Sequence, residues 1–212
     1  GERLGGECPN WGCVPTKALL RSVEILSLAR RAKEFGLVIP RPNFSFSAMM
    51  KRKQNTVDAL TGGGRLERLL KKSNVALLRG TAKFLSPHEL AVGSERVSAE
   101  KIILATGSKV TAPPIEGLAD AGYATSDDLV TLEAQPRSLV IIGGGPIGVE
   151  SAQILAPLGT KVTIVEFMPH ILPREDEEIA RVVAESFKKQ KIAVLTNTKT
   201  TKVVRKGRER LV

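Results

Sequence analysis

Cys8 and Cys13 are the only cysteines among 212 residues. They stand five positions apart in Gly5-Gly6-Glu7-Cys8-Pro9-Asn10-Trp11-Gly12-Cys13-Val14-Pro15-Thr16-Lys17. A pair this close, with no other thiol in the chain, bridges locally, binds something, or does chemistry. Zinc calls for about four ligands, and the remaining soft candidates, His88 and His170, lie far apart at no ligand spacing. No metal is therefore expected. There is no charged-then-apolar leader and no apolar run near membrane length, so the expected location is cytoplasmic, off the membrane. In a reducing compartment a lone pair is a poor structural staple, which leaves a redox or catalytic pair in front.

A second constellation is Gly143-Gly144-Gly145-Pro146-Ile147-Gly148, which contains G-x-G-x-x-G. The pattern alone is weak. Here it follows the apolar run Leu139 to Ile142, opens a helical stretch, and is followed by Glu166, 21 residues after Gly145, at the end of the next apolar run. Gly143 permits a tight turn, Gly145 lets a pyrophosphate approach the backbone, and Gly148 lets helix and strand pack closely. The helix start then offers free N–H groups and the positive end of its dipole to phosphates. A carboxylate at Glu166 accepts hydrogen bonds from both ribose hydroxyls and repels a 2′-phosphate. No arginine occupies positions 166–168, and Arg174 lies beyond two prolines, so NAD is expected rather than NADP.

These residues need elements to hold them. Leu19, Leu20, Val23, Leu26, Ala29 and Ala32 recur at helical spacing, predicting a helix from Val14 to about Phe35 that ends at Gly36, with Cys13 at its N-terminal end. A second helix is predicted from about Ser47 to Lys72, interrupted at Thr61-Gly62-Gly63-Gly64. Strands are predicted at Val75–Leu78, Thr81–Leu85, Glu89–Val92 and Lys101–Ala105, separated by Ser86-Pro87 and Gly93-Ser94. From Pro113 to Pro136 the sequence has loop character, with one short helix around Asp127 to Leu132. The remainder reads β-α-β-α-β: 139–142, 146–158, 161–166, 176–189 and 192–196. Its strands are unbroken apolar runs, the mark of a parallel sheet covered on both faces.

Composition sets the outer bounds. A hydrophobic content of 42% and a charged content of 25% are those of a globular chain, long enough for one large domain or two modest ones. The formal net charge is +10, yet aromatics make up only 4% and do not interleave with the basic stretches. That weakens a single-strand stacking role, and a nucleic-acid partner is not expected.

The run Gly5-Gly6-x-Cys8-x-Asn10-x-Gly12-Cys13-x-Pro15-x-Lys17 resembles the redox-active segment of the FAD-dependent pyridine nucleotide-disulfide oxidoreductases. Ile102-Ile103-Leu104-Ala105-Thr106-Gly107-Ser108 is similar to that family's second flavin-domain motif. Gly143 to Glu150, with Glu166 and Leu172-Pro173-Arg174-Glu175-Asp176, is similar to its NAD domain, closest to dihydrolipoamide dehydrogenase-type members. The resemblance implies an α/β fold: a partial FAD-binding Rossmann-like domain over 1–117, a linker over 118–136, and a partial NAD-binding Rossmann βαβ domain over 137–212. It implies an enzyme with FAD and NAD as cofactors, passing electrons between NAD(H), FAD and a Cys8–Cys13 disulfide, and on to a dithiol or disulfide substrate. Cys8 matches the interchange thiol and Cys13 the thiolate lying against the flavin. Lys17 matches the lysine near the reactive flavin edge, and Glu150 the glutamate that pairs with such a lysine. Gly80 matches backbone at the FAD adenine, and Thr106 and Gly107, with Ser108 in the same motif, match a later FAD contact. Thr200 falls near a residue that closes over the NAD adenine. An intact enzyme of this kind is expected to be a homodimer.

The sequence also departs from the family pattern. Glu7 stands where threonine is usual, and Pro9 and Trp11 replace small or aliphatic residues between the cysteines; Trp11 makes the loop bulkier and bears on which substrate reaches Cys8. The family's first FAD glycine loop would precede Gly1. Its last flavin-contacting segment, dimerisation domain and acid/base His-Glu pair would follow Val212. The chain is therefore expected to be an internal fragment, poorly able to hold FAD or turn over by itself, with an exposed sheet edge and low solubility. Two rival readings remain: a mercuric-reductase-like enzyme, and a non-catalytic basic module binding nucleotide or nucleic acid.

Overall fold

The computed structural model describes residues 3–40 and 42–212. A single helical turn, α1 (Glu7–Asn10), leads into the long helix α2 (Cys13–Arg30). The expected helix, to about Phe35, stops at Arg30, and a 3-10 turn over Ala32–Phe35 carries the chain on to Gly36. The second predicted helix is split at its glycines into α3 (Phe46–Thr61) and α4 (Arg65–Lys72). Ser45 caps α3, its hydroxyl accepting from the Ala48 N–H at 3.3 Å.

The middle of the chain differs from expectation. β1 (Ala82–Ser86), β2 (Glu89–Val92) and β3 (Glu95–Ser98) form an antiparallel meander, and its third strand was not predicted. The predicted strands at 75–78 and 101–105 are not strands. A strand exists only as part of a hydrogen-bonded ladder, and among the described residues these two runs find no neighbour. Ile103 and Leu104 accordingly stay 91% and 68% exposed.

The stretch after Pro113 holds more structure than its loop character predicts. It contains α5 (Leu118–Ala121) and α6 (Ser126–Leu129). The latter begins one residue before the predicted position, because Thr125 and Asp128 close a capping box. Then follow β4 (Ser138–Ile142), α7 (Pro146–Leu155), β5 (Lys161–Val165), α8 (Glu177–Lys189) and β6 (Ala193–Leu195). The three strands make a parallel sheet in the order β4-β5-β6, as the unbroken apolar runs predicted. An unpredicted hairpin, β7 (Val204–Lys206) and β8 (Glu209–Leu211), ends the chain. It is joined to the segment before α5 through a Glu116–Lys202 bridge and a small core of Leu118, Ala121 and Val203.

One core dominates, and it joins distant parts of the sequence. Leu19, Val23 and Leu26 of α2 are buried together with Val149, Ile154 and Leu155 of α7, Val162 and Ile164 of β5, and Phe187 of α8. The spacing of four and three along α2 lines these side chains on one helical face. Among the described residues no helix is long and apolar enough to cross a membrane.

Candidate functional site

The thiol turn is built by hydrogen bonds that the sequence dictates locally. The N–H groups of Trp11 and Gly12 both donate to the Glu7 carbonyl, at 2.7 and 2.8 Å, which curls the chain back after Cys8. Asn10 is 4% exposed, and its side-chain amide donates to the Leu4 and Gly6 carbonyls at 3.0 and 2.8 Å, tying the turn to the glycines before it. Gly12 then gives way to α2, where Thr16 Oγ1 donates to the Gly12 carbonyl at 2.8 Å. Pro15 fits in that first turn because its missing N–H would have no intrahelical acceptor there.

This local folding places Cys13 as the first residue of α2, at the positive end of an 18-residue helix, where an anion is favoured. Cys8 and Cys13 are both exposed free thiols. Hydrogen bonding with the Cys13 side chain raises the Cys8 thiol above its ordinary value. Desolvation and the Cys13 charge push the same way, while the Cys13 backbone N–H and then the Lys17 cation oppose them. A thiol with a raised pKa stays protonated, and so unreactive, to higher pH. Removing its partner in Cys13→Ala is therefore expected to move the pH profile of Cys8 alkylation by iodoacetamide downward. An unmoved midpoint would mean that the two side chains do not share a proton.

Lys17 projects one turn further along α2 and forms an ion pair with Glu150 on α7, bridging 133 positions of sequence. The side chains are 57% and 30% exposed, so the pair adds little to stability. Glu150→Gln is expected to cost under about 1 kcal/mol, read as a small change in Tm. What the pair does is fix the Lys17 ammonium beside the start of α2 and tie the thiol helix to the helix that rises from the glycine loop.

That loop is shaped by contact. Gly143 N–H donates to the Val165 carbonyl at 2.9 Å, closing the end of β4 against β5. A Cβ on Gly148 would lie 2.2 Å from the Gly143 carbonyl oxygen, so only glycine lets α7 rise this close to β4. A Cβ on Gly145 would meet nothing within 4 Å. That open side lies at the start of α7, where Pro146 needs no acceptor and the N–H groups of Ile147 and Gly148 have none within the helix. Glu166 is 7% exposed; its carboxylate accepts from the Gly144 N–H at 2.5 Å and from the Met168 N–H at 2.8 Å. Each oxygen keeps a second lone pair for a ribose hydroxyl. The donors and the open glycine face therefore fit a dinucleotide.

Thr200 follows a loop fastened to Glu166, with the Thr198 N–H donating to the Glu166 carbonyl and the Asn197 N–H to the Met168 carbonyl, both at 3.0 Å. Its Oγ1 is buried without a partner among the described residues. The residues matched to the flavin are less gathered. The thiols and Lys17 stand together, but Thr106, Gly107 and Ser108 lie in an irregular exposed segment. A Cβ on Gly80 would meet the edge of the meander, with Val92 Cγ1 at 3.1 Å. Of the residues matched to the flavin, the structure gathers the thiols and Lys17 and leaves the others apart from them.

Three side chains at the thiol turn were not predicted as site residues. The Arg3 guanidinium lies 5.5 Å from the centroid of the Trp11 ring. Lys53 on α3 is 5% exposed, and among the described residues its ammonium reaches only the Gln54 side-chain oxygen, at 3.2 Å. Burial lowers the Lys53 pKa, Asp58 opposes that effect, and the Arg3 charge reinforces it. Asn10, quoted only as part of the motif, proves to be the clamp of the turn, with its Oδ1 buried and unpartnered. A sequence signal existed for Lys53 alone: it falls four residues before the buried Val57, on the inner face of α3.

Residues 2–212 match the family profile described as pyridine nucleotide-disulphide oxidoreductase. The chain is 37% identical over 207 residues to a dihydrolipoyl dehydrogenase of Acholeplasma laidlawii, covering 95% of this chain and 61% of that protein. It is likewise 37% identical to one of Bacillus subtilis (strain 168), covering 95% of this chain and 45% of that protein. Among solved structures it superposes on the copper(II) complex of the HOCl-induced flavoprotein disulfide reductase RclA from Escherichia coli. The TM-score is 0.79 at 30% identity, over 99% of this chain and 46% of that one. The chain spans about half the length of the relatives it matches.

Proposed function

This chain belongs to the pyridine nucleotide-disulphide oxidoreductase family, and on that premise we propose that the protein containing it is a flavin-dependent disulfide oxidoreductase whose working thiols are Cys8 and Cys13. The observation that carries the proposal is the thiol turn itself: two exposed free cysteines, Cys8 in α1 and Cys13 at the start of α2, the latter one turn from a lysine tied to the helix of the nucleotide loop. Members of the family work with FAD and NAD(H), which when bound supply the two-electron transfer between nicotinamide and thiols.

The chain's own residues then divide the work. Cys8 faces the substrate: its thiolate attacks one sulfur of a disulfide, the S–S bond breaks, and the first thiol leaves with a proton. The Cys13 thiolate attacks the Cys8 sulfur, releases the second thiol, and leaves a Cys8–Cys13 bridge. Two electrons from NADH, with the accompanying protons, reopen the bridge; run in reverse, the same steps oxidise a dithiol. Lys17, with Glu150, holds a positive charge near the thiol that must carry negative charge. Gly143, Gly145, Pro146, Ile147 and Gly148 bind the pyrophosphate of NAD, Glu166 its ribose, and Thr200 closes over the adenine. Gly80, Thr106, Gly107 and Ser108 contact FAD.

The flavin-binding part is assigned to 1–117, the linker to 118–136 and the NAD-binding part to 137–212, within a cytoplasmic homodimer acting on a dihydrolipoamide-like dithiol or disulfide. A second reading, a soft metal ion as electron acceptor in the manner of mercuric reductase, draws support from the copper(II) bound to the similar reductase RclA and from the exposure of both thiols.

The test is anaerobic reduction of the full-length protein with NADH. A long-wavelength absorbance that disappears in Cys13→Ser supports the proposal. Absence of any bound flavin overturns it. Turnover of copper(II) or mercury(II) without turnover of any disulfide moves the assignment to the second reading.

A further inference from the structure

Trp11 follows Cys8 by three positions at the end of α1, and side chains at that spacing share one face of a helical turn. Two residues later comes Cys13. The indole is half-buried, and on its ring rests the guanidinium of Arg3 at 5.5 Å. Arg3 is exposed, and among the described residues no carboxylate lies within ion-pair distance of it, so the aromatic face is what holds the cation there. Close by is Lys53, a buried ammonium with a single neutral acceptor and likewise no carboxylate within ion-pair distance among the described residues. The Arg3 charge is felt at Lys53. Lys17 is already engaged in its ion pair with Glu150. The one acidic side chain of α1 is Glu7, against two cations, Arg3 and Lys53, that have no carboxylate partner among the described residues. An arginine held open to solvent presents a planar fork that pairs with carboxylates in two-point fashion, and the indole beside it offers a flat apolar rest for a short chain.

We infer that Arg3 and Trp11 form an anion-selective mouth over Cys8, so that the preferred substrates are disulfides carrying a carboxylate or similar anionic group on a short chain from sulfur. This inference rests on the disulfide-oxidoreductase reading above and adds to it the chemical class of the substrate. Arg3 meets the anionic group, Trp11 positions Arg3 and supports the substrate chain, and Cys8 receives the sulfur.

The test uses the intact, flavin-loaded protein and two matched substrate pairs. One is lipoate against lipoamide, which share the same ring and differ in charge. The other is dithiodiglycolate against bis(2-hydroxyethyl) disulfide. The readout is the ratio of kcat/KM, anionic over neutral, followed as NADH oxidation. A lower fraction of folded enzyme scales both rates and leaves this ratio alone. The wild-type ratio is expected to reach about tenfold at low salt, a difference of about 1.4 kcal/mol. It should fall toward one as added salt screens the arginine, at roughly 0.5 M and above. Arg3→Gln and Trp11→Val should each bring it close to one through loss on the anionic member, while Arg3→Lys and Trp11→Phe should keep part of it. Turnover of both pairs at a wild-type ratio of one or below overturns the inference and leaves the disulfide-oxidoreductase reading standing, as does an unchanged ratio in Arg3→Gln. A flavin-loaded enzyme that reduces neither pair with its thiols intact by titration overturns the reading and the inference together.

Discussion

Serine at either Cys8 or Cys13 is expected to lower disulfide turnover by the full-length protein by roughly a thousandfold or more. The magnitude follows from the chemistry. A hydroxyl is far less acidic than a thiol and forms no bond to sulfur that reopens by exchange. The two changes act at different points of one cycle and should not be additive, so the double variant should be about as slow as either single one. Both side chains are exposed, so neither substitution opens a cavity and the fold should survive. NADH-dependent reduction of a quinone, which bypasses the thiols, serves as the control for a loaded and folded enzyme. A loss of less than tenfold in either single variant, with that control intact, would remove the pair from the mechanism.

The second large effect comes from two glycines of the nucleotide loop, three residues apart, that should fail in opposite ways. Gly148→Val places its Cβ 2.2 Å from the Gly143 carbonyl oxygen, with Ile141 Cγ2 at 3.1 Å behind it, and the obstacle is backbone. Helix α7 would have to move away from β4, at a cost of about 3 kcal/mol. For a domain of this size that lowers Tm by several degrees, and NADH binding is lost with it. Gly145→Ala meets no atom within 4 Å and has an ordinary φ of −70°, so its Tm should stay near wild type. Its methyl group instead occupies the side from which the pyrophosphate approaches, and Kd for NADH should rise about tenfold or more, or roughly 1.4 kcal/mol. Calorimetric titration of NADH beside thermal unfolding separates the two outcomes. A Gly145→Ala protein that binds NADH normally would mean that the cofactor does not use this face.

The parts of the fold legible in the sequence are those set by local backbone chemistry. The glycine loop, its strand and helix, the break after Thr61 and the helix start at Cys13 all depend on residues close by, and all appear where spacing placed them. The juxtaposition of Lys17 and Glu150 was legible only through family resemblance, since nothing local connects α2 to α7. Where pairing across distance decides, local pattern fell short. The apolar runs at 75–78 and 101–105 have strand composition and no ladder. Glu95–Ser98 is too short and polar to announce itself, yet pairs because β2 lies beside it. The hairpin over 204–211 hides in a basic stretch whose turn is marked only by Gly207. Arg3 on Trp11 was invisible for the same reason: an aromatic and a cation eight positions apart meet only after α1 has folded the chain back between them.

The burial of Leu19, Val23 and Leu26 against α7, β5 and α8 also governs how the protein is made. During synthesis these side chains leave the ribosome long before Val149, and well before Phe187 and Ile192, which complete their surroundings. At about 5–20 residues per second, the thiol helix would wait on the order of ten seconds covered by α3 alone, with the part of its apolar face that meets α7, β5 and α8 still open. Nascent chains arrested before α7 should therefore recruit chaperones through α2, and release should follow emergence of α8. In the cell, the thiol turn would fold at once, and the Glu150 partner of Lys17 would arrive only once the nucleotide half had been translated.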